Sequence, residues 1–248
     1  MTMRKLSLLI IPLLFVTTFE SNAQSNNIAQ IWEMVPIFGH AGMVEDALKE
    51  HVLWRNAHGD TWNWDVFQVV TGENYNTFYA RSGSHTWADF DSYNLEGASE
   101  HFQATVQPHL QSVSNSISAG DTTNVYFPPD GEFNLLTVVS YDVIGSKRIA
   151  LTDALGKFSE ALRKRGTSFY HAFYWTVAGG DGTNDLTGVF PADTWADFED
   201  PDPNIMQIMM EEYGEEAMGI FEAFTSAVRN ERTMILLHRK DLSSDTVE

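Results

Sequence analysis

The stretch Thr86-Trp87-Ala88-Asp89-Phe90 occurs twice in this chain, returning as Thr194-Trp195-Ala196-Asp197-Phe198, 108 residues later. Each copy holds the same place in a longer pattern. An apolar strand, an amphipathic helix and two further strands precede it. A second helix and a final strand follow. Five shared residues can arise by chance. Their recurrence inside two matching strings of elements points to duplication, and a repeat of this length governs how the whole chain is read.

Outward from the first copy, Ile31 to Phe38 reads as a strand and Gly39-His40-Ala41-Gly42 as a turn. Met43 to Ala57 reads as a helix, because Val44, Ala47, Leu48, His51, Val52 and Arg55 recur near 3.6-residue spacing. Trp62–Thr71 and Asn76–Arg81 read as strands. A helix is expected from Ser99 to Ile117, kinked or broken by Pro108, and Thr123–Phe127 closes the half. Pro128-Pro129-Asp130-Gly131 is a strong linker signal. The second half repeats the order: strand Leu135–Val143, helix Lys147–Arg165, strands Phe169–Val177 and Asp185–Phe190, a Met-rich helix Asn204–Arg229 interrupted at Gly214, and strand Met234–Arg239. The expected units are residues 28–127 and 133–240, joined by 128–132 and followed by a tail, 241–248, frayed from Ser243 to Glu248.

Residues 1–23 read as a secretory signal peptide. Arg4 and Lys5 form a basic start, Leu6–Val16 an apolar run too short to span a bilayer, and Ser21-Asn22-Ala23 a small-residue cleavage site before Gln24. The expected location is periplasmic or extracellular, with the mature chain not embedded in a membrane. The full chain carries a net charge of −19. That repels phosphate backbones and argues against nucleic-acid binding. Cysteine is absent. Thiol catalysis, Fe–S clusters and thiolate metal sites are thereby excluded, and the fold must rest on its core rather than on disulfides.

Each half reads β-α-β-β-α-β, the ferredoxin-like order. Two such halves bury their open sheet faces most economically against each other, as a closed barrel. The fold class is therefore α+β: two tandem ferredoxin-like repeats packed as a single-chain α/β barrel. With its strand-Thr-Trp-x-x-Phe-helix junctions at Trp87 and Trp195, and Gly39, Gly42 and Gly145 before the first helices, the chain resembles the dimeric α/β-barrel superfamily over residues 28–240. It is most similar to the NIPSNAP-like and antibiotic-biosynthesis-monooxygenase-like branches. The resemblance implies a ligand site between sheet and helices or inside the barrel. It also admits cofactor-free oxygenation, haem handling or no reaction at all.

Trp87 and Trp195 read as structural side chains pinning the strand-to-helix corner. Strand alternation puts Trp62, Trp64, Val66 and Gln68 on one face, and His171, Phe173 and Trp175 on another, with Tyr170 and Tyr174 opposite. These sets are either an aromatic core or a small-molecule pocket with a few polar handles. The pocket reading places the His171 face in a cavity between the two sheets, approached by Trp64 and Gln68. His171 and Tyr174 are then the proton-handling candidates. Trp64, Gln68, Arg81, Phe173, Trp175 and His238 are the ligand-binding ones. Glu33, Asp142 and Arg239, like Arg81, are charges within apolar strands, at a solvated edge or in a pocket. No histidine pair has zinc-motif spacing, so no metal is expected. No nucleophile elbow or phosphate loop occurs, and no cofactor is expected.

The function expected from these features is binding of a small apolar or aromatic molecule between the halves, with cofactor-independent, monooxygenase-like turnover as one form of it. The alternatives are a non-catalytic acidic interaction protein and a haem-binding barrel using His171 or His238. A monomer or a homodimer is compatible with all three.

Overall fold

The computed structural model describes residues 27–244, apart from 73, 128–132 and 200–201. The expected signal peptide, the linker and residues 245–248 lie outside the described residues. Among the described residues eight strands carry the fold: β1 (Ile28–Pro36), β2 (Asp65–Val69), β3 (Phe78–His85), β4 (Leu110–Tyr126), β5 (Leu135–Val143), β6 (His171–Ala178), β7 (Leu186–Ala192) and β8 (Val228–His238). They close into a barrel in the order β1-β3-β2-β8-β5-β7-β6-β4. Every neighbouring pair is antiparallel. The first four strands run β4-β1-β3-β2 and the last four β8-β5-β7-β6, the same order position for position. The β2–β8 and β4–β6 pairings join the two sets.

The helices are α1 (Ala41–Ala57), α2 (Trp87–Ser92), α3 (Ala98–Thr105), α4 (Arg148–Arg165), α5 (Ile205–Tyr213) and α6 (Glu216–Ala227). The buried face of α1 is Val44, Ala47, Leu48, His51 and Val52, the stripe expected from spacing. The break at Gly214 falls where expected. Its φ of +57° suits glycine and separates α5 from α6.

The expected helix Ser99–Ile117 is a correction. Helix α3 stops at Thr105, Pro108 sits in a 3₁₀ turn, and Leu110 already begins β4. Proline ends the helix rather than kinking it, and the Ser/Val/Asn/Ile alternation of 112–117 then has strand period. The expected fraying is corrected at Ser243 and Ser244. Leu242 is buried in the core beneath α1, and the hydroxyls of Ser243 and Ser244 accept the Val66 and Trp64 backbone N–H groups at 2.9 Å each. Residues 242–244 thus cross to the first half and cap the start of β2.

The repeated word works through its polar residues. Thr86 caps α2: its Oγ1 accepts the Asp89 N–H at 3.3 Å, while Asp89 Oδ2 accepts the Thr86 N–H at 2.6 Å. In the second copy Asp197 accepts the N–H groups of Thr194 and Asp193 at 2.8 and 3.0 Å. Trp87 and Trp195 are 44% and 58% exposed, so they do not wedge the corner as expected. The capping carboxylates hold it.

Each strand has two apolar faces. One set, including Phe67, Val69, Leu136, Ala172, Val189 and Leu236, has no helix residue in it and fills the barrel interior. The other packs on helices: Met34, Val66 and Phe78 against α1, and Tyr141, Phe173, Trp175 and Leu186 against α4 and α6. Full burial of one such side chain stabilises the fold by about 1.5–3 kcal/mol.

Candidate functional site

The cavity of interest lies between the first-half sheet and its helices, with a volume of about 400 Å³. Strand alternation supplies its floor: Gln30, Trp32 and Met34 from β1, Val66 from β2 and Ala80 from β3. Helix α1 adds His51, Val52 and Arg55 at helical spacing. Trp62 and Trp64 precede β2, and Phe90, Tyr93 and Phe102 close the far side. The lining is aromatic with few polar groups, the usual makeup of a small-molecule site.

Its polar edge is a connected network. Asp60, whose side chain is almost fully buried, accepts Arg55 Nε at 2.6 Å, the Tyr93 hydroxyl at 3.0 Å and the Trp62 N–H at 3.0 Å. Arg55 also donates to the Tyr93 hydroxyl. The same guanidinium lies over the Trp64 ring, 4.9 Å from its centroid. Burial pushes the Tyr93 hydroxyl up to about 12, so it stays protonated. Trp62 stacks on His85 at 3.8 Å and on Tyr93 at 3.9 Å.

His51 is the titratable group facing this cavity from α1. Burial first, then Arg55 and His101, push its pKa down to about 3, so the imidazole is neutral. Its Nδ1 lies 3.0 Å from His101 Nδ1, and His101 Nε2 lies 3.9 Å from the exposed Glu50 carboxylate. Among the described residues no group of three or more His, Asp or Glu is placed to hold a metal ion.

The residues singled out from the sequence do not converge. Trp64 lines the cavity. Gln68 shares its face but lies in a separate polar cluster, bonded to Glu45, Asn76 and Arg239 at 3.2, 3.2 and 2.7 Å. The expectation that the His171 face looks into a cavity between the sheets is a correction. Phe173 and Trp175 pack on α4, and His171 Nε2 pairs with Ser159 Oγ on that helix at 2.7 Å. Both faces of β6 are apolar, so alternation groups these residues without saying which group faces inward. Tyr174 is on the opposite, interior face, where the Arg81 guanidinium lies 5.2 Å from its ring centroid. His171 and Tyr174 therefore cannot act on one substrate. His238 is interior as well, stacked on Phe67 and Phe133 at 4.9 and 5.4 Å. Of the other strand charges, Glu33 accepts the Tyr79 hydroxyl at 2.8 Å, Arg239 pairs with Glu45 and Asp241, and Asp142 pairs with Arg232 at the surface.

His171 does not fit the role considered for it with haem, because its ring nitrogens face Ser159 Oγ and the Phe169 carbonyl. His238 Nε2 is buried 3.5 Å from Asp65 and has no hydrogen-bond partner among the described residues. Sequence reading missed Arg55, Asp60 and Tyr93 as a unit. The signal available was weak: Arg55 on the apolar stripe of a helix, and an Asp just past its end.

Known structures resemble this one in fold. A candidate monooxygenase from Lactobacillus acidophilus NCFM aligns over 88% of this chain and 95% of its own (TM-score 0.55, 9% identity). An anthrone oxidase-like protein aligns over 89% and 96% (TM-score 0.54, 11% identity). Chlorite dismutase from Candidatus Nitrospira defluvii aligns over 88% and 94% (TM-score 0.52, 12% identity). The shared architecture is the ferredoxin-like, dimeric α/β-barrel fold, and at these identities the likeness is of fold alone. No protein-family model and no curated protein matches the sequence. Among the described residues no helix is long and apolar enough to cross a membrane.

Proposed function

We propose that this is an exported protein that binds a small, flat, largely apolar molecule in the first-half cavity, and that its two halves descend from one duplicated βαββαβ unit. The cavity carries the functional reading: about 400 Å³, walled by Trp32, Trp62, Trp64 and Phe102, with one neutral imidazole and one guanidinium at its edge. Aromatic walls favour stacked rings, and the Arg55–Tyr93–Asp60 network gives a ring hydroxyl or carbonyl a fixed partner. The site lies within one half, not between the halves. The identical strand order supports the duplication, and the residues of 1–23 support export.

For turnover, the reading is oxygenation without a cofactor, in which the protein's part is to exclude water and to hold and orient the substrate. His51, rather than His171 or Tyr174, borders the cavity, and its neutral imidazole is a polar contact there. Anthrone is a suitable probe, since one structural neighbour is an anthrone oxidase-like protein. Titration should quench tryptophan fluorescence saturably, and Ala98→Phe, which fills the cavity, should abolish the effect. Oxygen uptake with anthrone should depend on His51. The absence of saturable quenching by both anthrone and 2-naphthol would overturn the binding reading. Binding without oxygen uptake would remove turnover alone.

A further inference from the structure

Strand β4 is longer than its partners. It pairs with β1 along Leu110–Ala119, but β6 joins its other edge only from Ile117 onward. Among the described residues, no strand pairs with that edge from Gln111 to Ser116, and residues 111–115 are exposed on both faces. Strand β8 holds the corresponding place in the second half and overhangs in the same way. It pairs with β5 from Val228, while β2 reaches it only at Leu236.

The two overhangs differ in chemistry. That of β8 carries Arg229, Glu231 and Arg232, the charges that normally keep an edge from pairing with another chain. That of β4 reads Gln-Ser-Val-Ser-Asn-Ser, without a charge or a proline. It is an unprotected edge on a chain of net charge −19. Exposed apolar side chains flank it. Ile37, whose N–H bonds the His109 carbonyl at 2.9 Å, and the fully exposed Phe38 lie at one end. Val113 is on the strand, and Val177 lies beside the Ile117–Ala178 pair at the other end.

We infer that the 111–116 edge of β4 pairs antiparallel with the same edge of a second copy of this chain, making a two-fold dimer. The occupant follows from charge. Two acidic chains repel over most of their surfaces, and a self-pairing strand survives only where no like charges are set opposite each other. A two-fold contact between identical uncharged edges meets that condition and closes, leaving no free edge to continue. Pairing β4 with the charged β8 edge would instead build an open chain. The contact is small, with flanking apolar groups as its second component, so the dimer is weak and reversible. It is independent of the proposed ligand site.

Sedimentation of the chain from Gln24, over a wide concentration range, should show a reversible monomer–dimer equilibrium. Val113→Lys puts a charge into the paired edge, the device that keeps natural edges from pairing with another chain, and should raise the dissociation constant at least about tenfold. Its circular dichroism and thermal midpoint should stay unchanged. Thr233→Lys on the β8 overhang should leave the equilibrium as it is. Hydrogen exchange of the native chain gives a test without substitution: protection of the 111–116 amides should rise with concentration. A strictly monomeric chain, a dimer indifferent to Val113→Lys without concentration-dependent protection at 111–116, or open-ended assembly would each overturn the inference.

Discussion

His51 and His101 meet Nδ1 to Nδ1 across 3.0 Å. Two imidazole nitrogens at that distance share one proton, so whichever ring donates, the other accepts. The pair links the cavity wall to α3, and its first member is held neutral by burial, by Arg55 and by His101 itself.

That state has a pH signature. Unfolded, His51 takes its proton near 6.5; folded, only near 3. Between those values the unfolded chain binds a proton that the folded chain refuses, so stability falls as pH drops through this window. The slope from one such group is at most about 1.4 kcal/mol per pH unit. His51→Gln should therefore lose less stability than the native chain between pH 7 and pH 5, measured by urea midpoints. His171, also pushed down by burial, stays in both proteins and contributes equally. Equal losses in the two proteins would show that His51 is not held neutral.

Asp60 accepts three donors from separate parts of the chain. Asp60→Ala leaves Arg55 without its carboxylate, and a half-broken buried pair costs about 3 kcal/mol or more. Chemical denaturation should show that loss, with weakened binding of the naphthol probe. A change below about 1 kcal/mol would mean that water replaces the carboxylate.

The corner after β3 rests on its cap. Thr86→Ala should cost about 1 kcal/mol, since it removes the acceptor for the Asp89 N–H. Trp87→Ala and Trp195→Ala, at exposed positions, should each stay within about 0.5 kcal/mol of the native chain. Thermal melts of the three variants separate the two effects, and the reverse ranking would restore the tryptophans as the structural element.

Ala80 and Gly188 are 108 residues apart, the same offset as the repeated word. Ala80 lines the cavity. A Cβ on Gly188 would sit 2.9 Å from Phe173 Cε1 and 3.2 Å from Phe190 Cε2, both ring atoms. Gly188→Ala should destabilise by about 1–3 kcal/mol through overpacking. Ala80→Val should be tolerated within about 1 kcal/mol while lowering probe affinity, because the cavity takes the added methyls. Similar stability costs at both sites would mean that the halves are equally full.

Local order was legible from residues alone. The stripe on α1, the break at Gly214, the Leu135–Val143 strand and the matching order of the two halves all follow from periodicity and turn chemistry, which depend on neighbours in sequence. Alternation also grouped Trp62, Trp64 and Val66, and separately His171, Phe173 and Trp175. Which group borders open space is a tertiary matter. A barrel strand is apolar on both faces, one turned to the interior and one to helices, so the pattern carries no inward or outward label. The first-half face is held open beside Ala80, while phenylalanines close the second against Gly188. Tyr93 reaches Arg55 and Asp60 across more than thirty residues, and His101 reaches His51 across fifty. The sequence by itself determined the elements, their order and the two shared faces of each strand. The closed barrel decided which face holds the cavity and which distant side chains meet there, because contacts between remote segments depend on packing rather than on period.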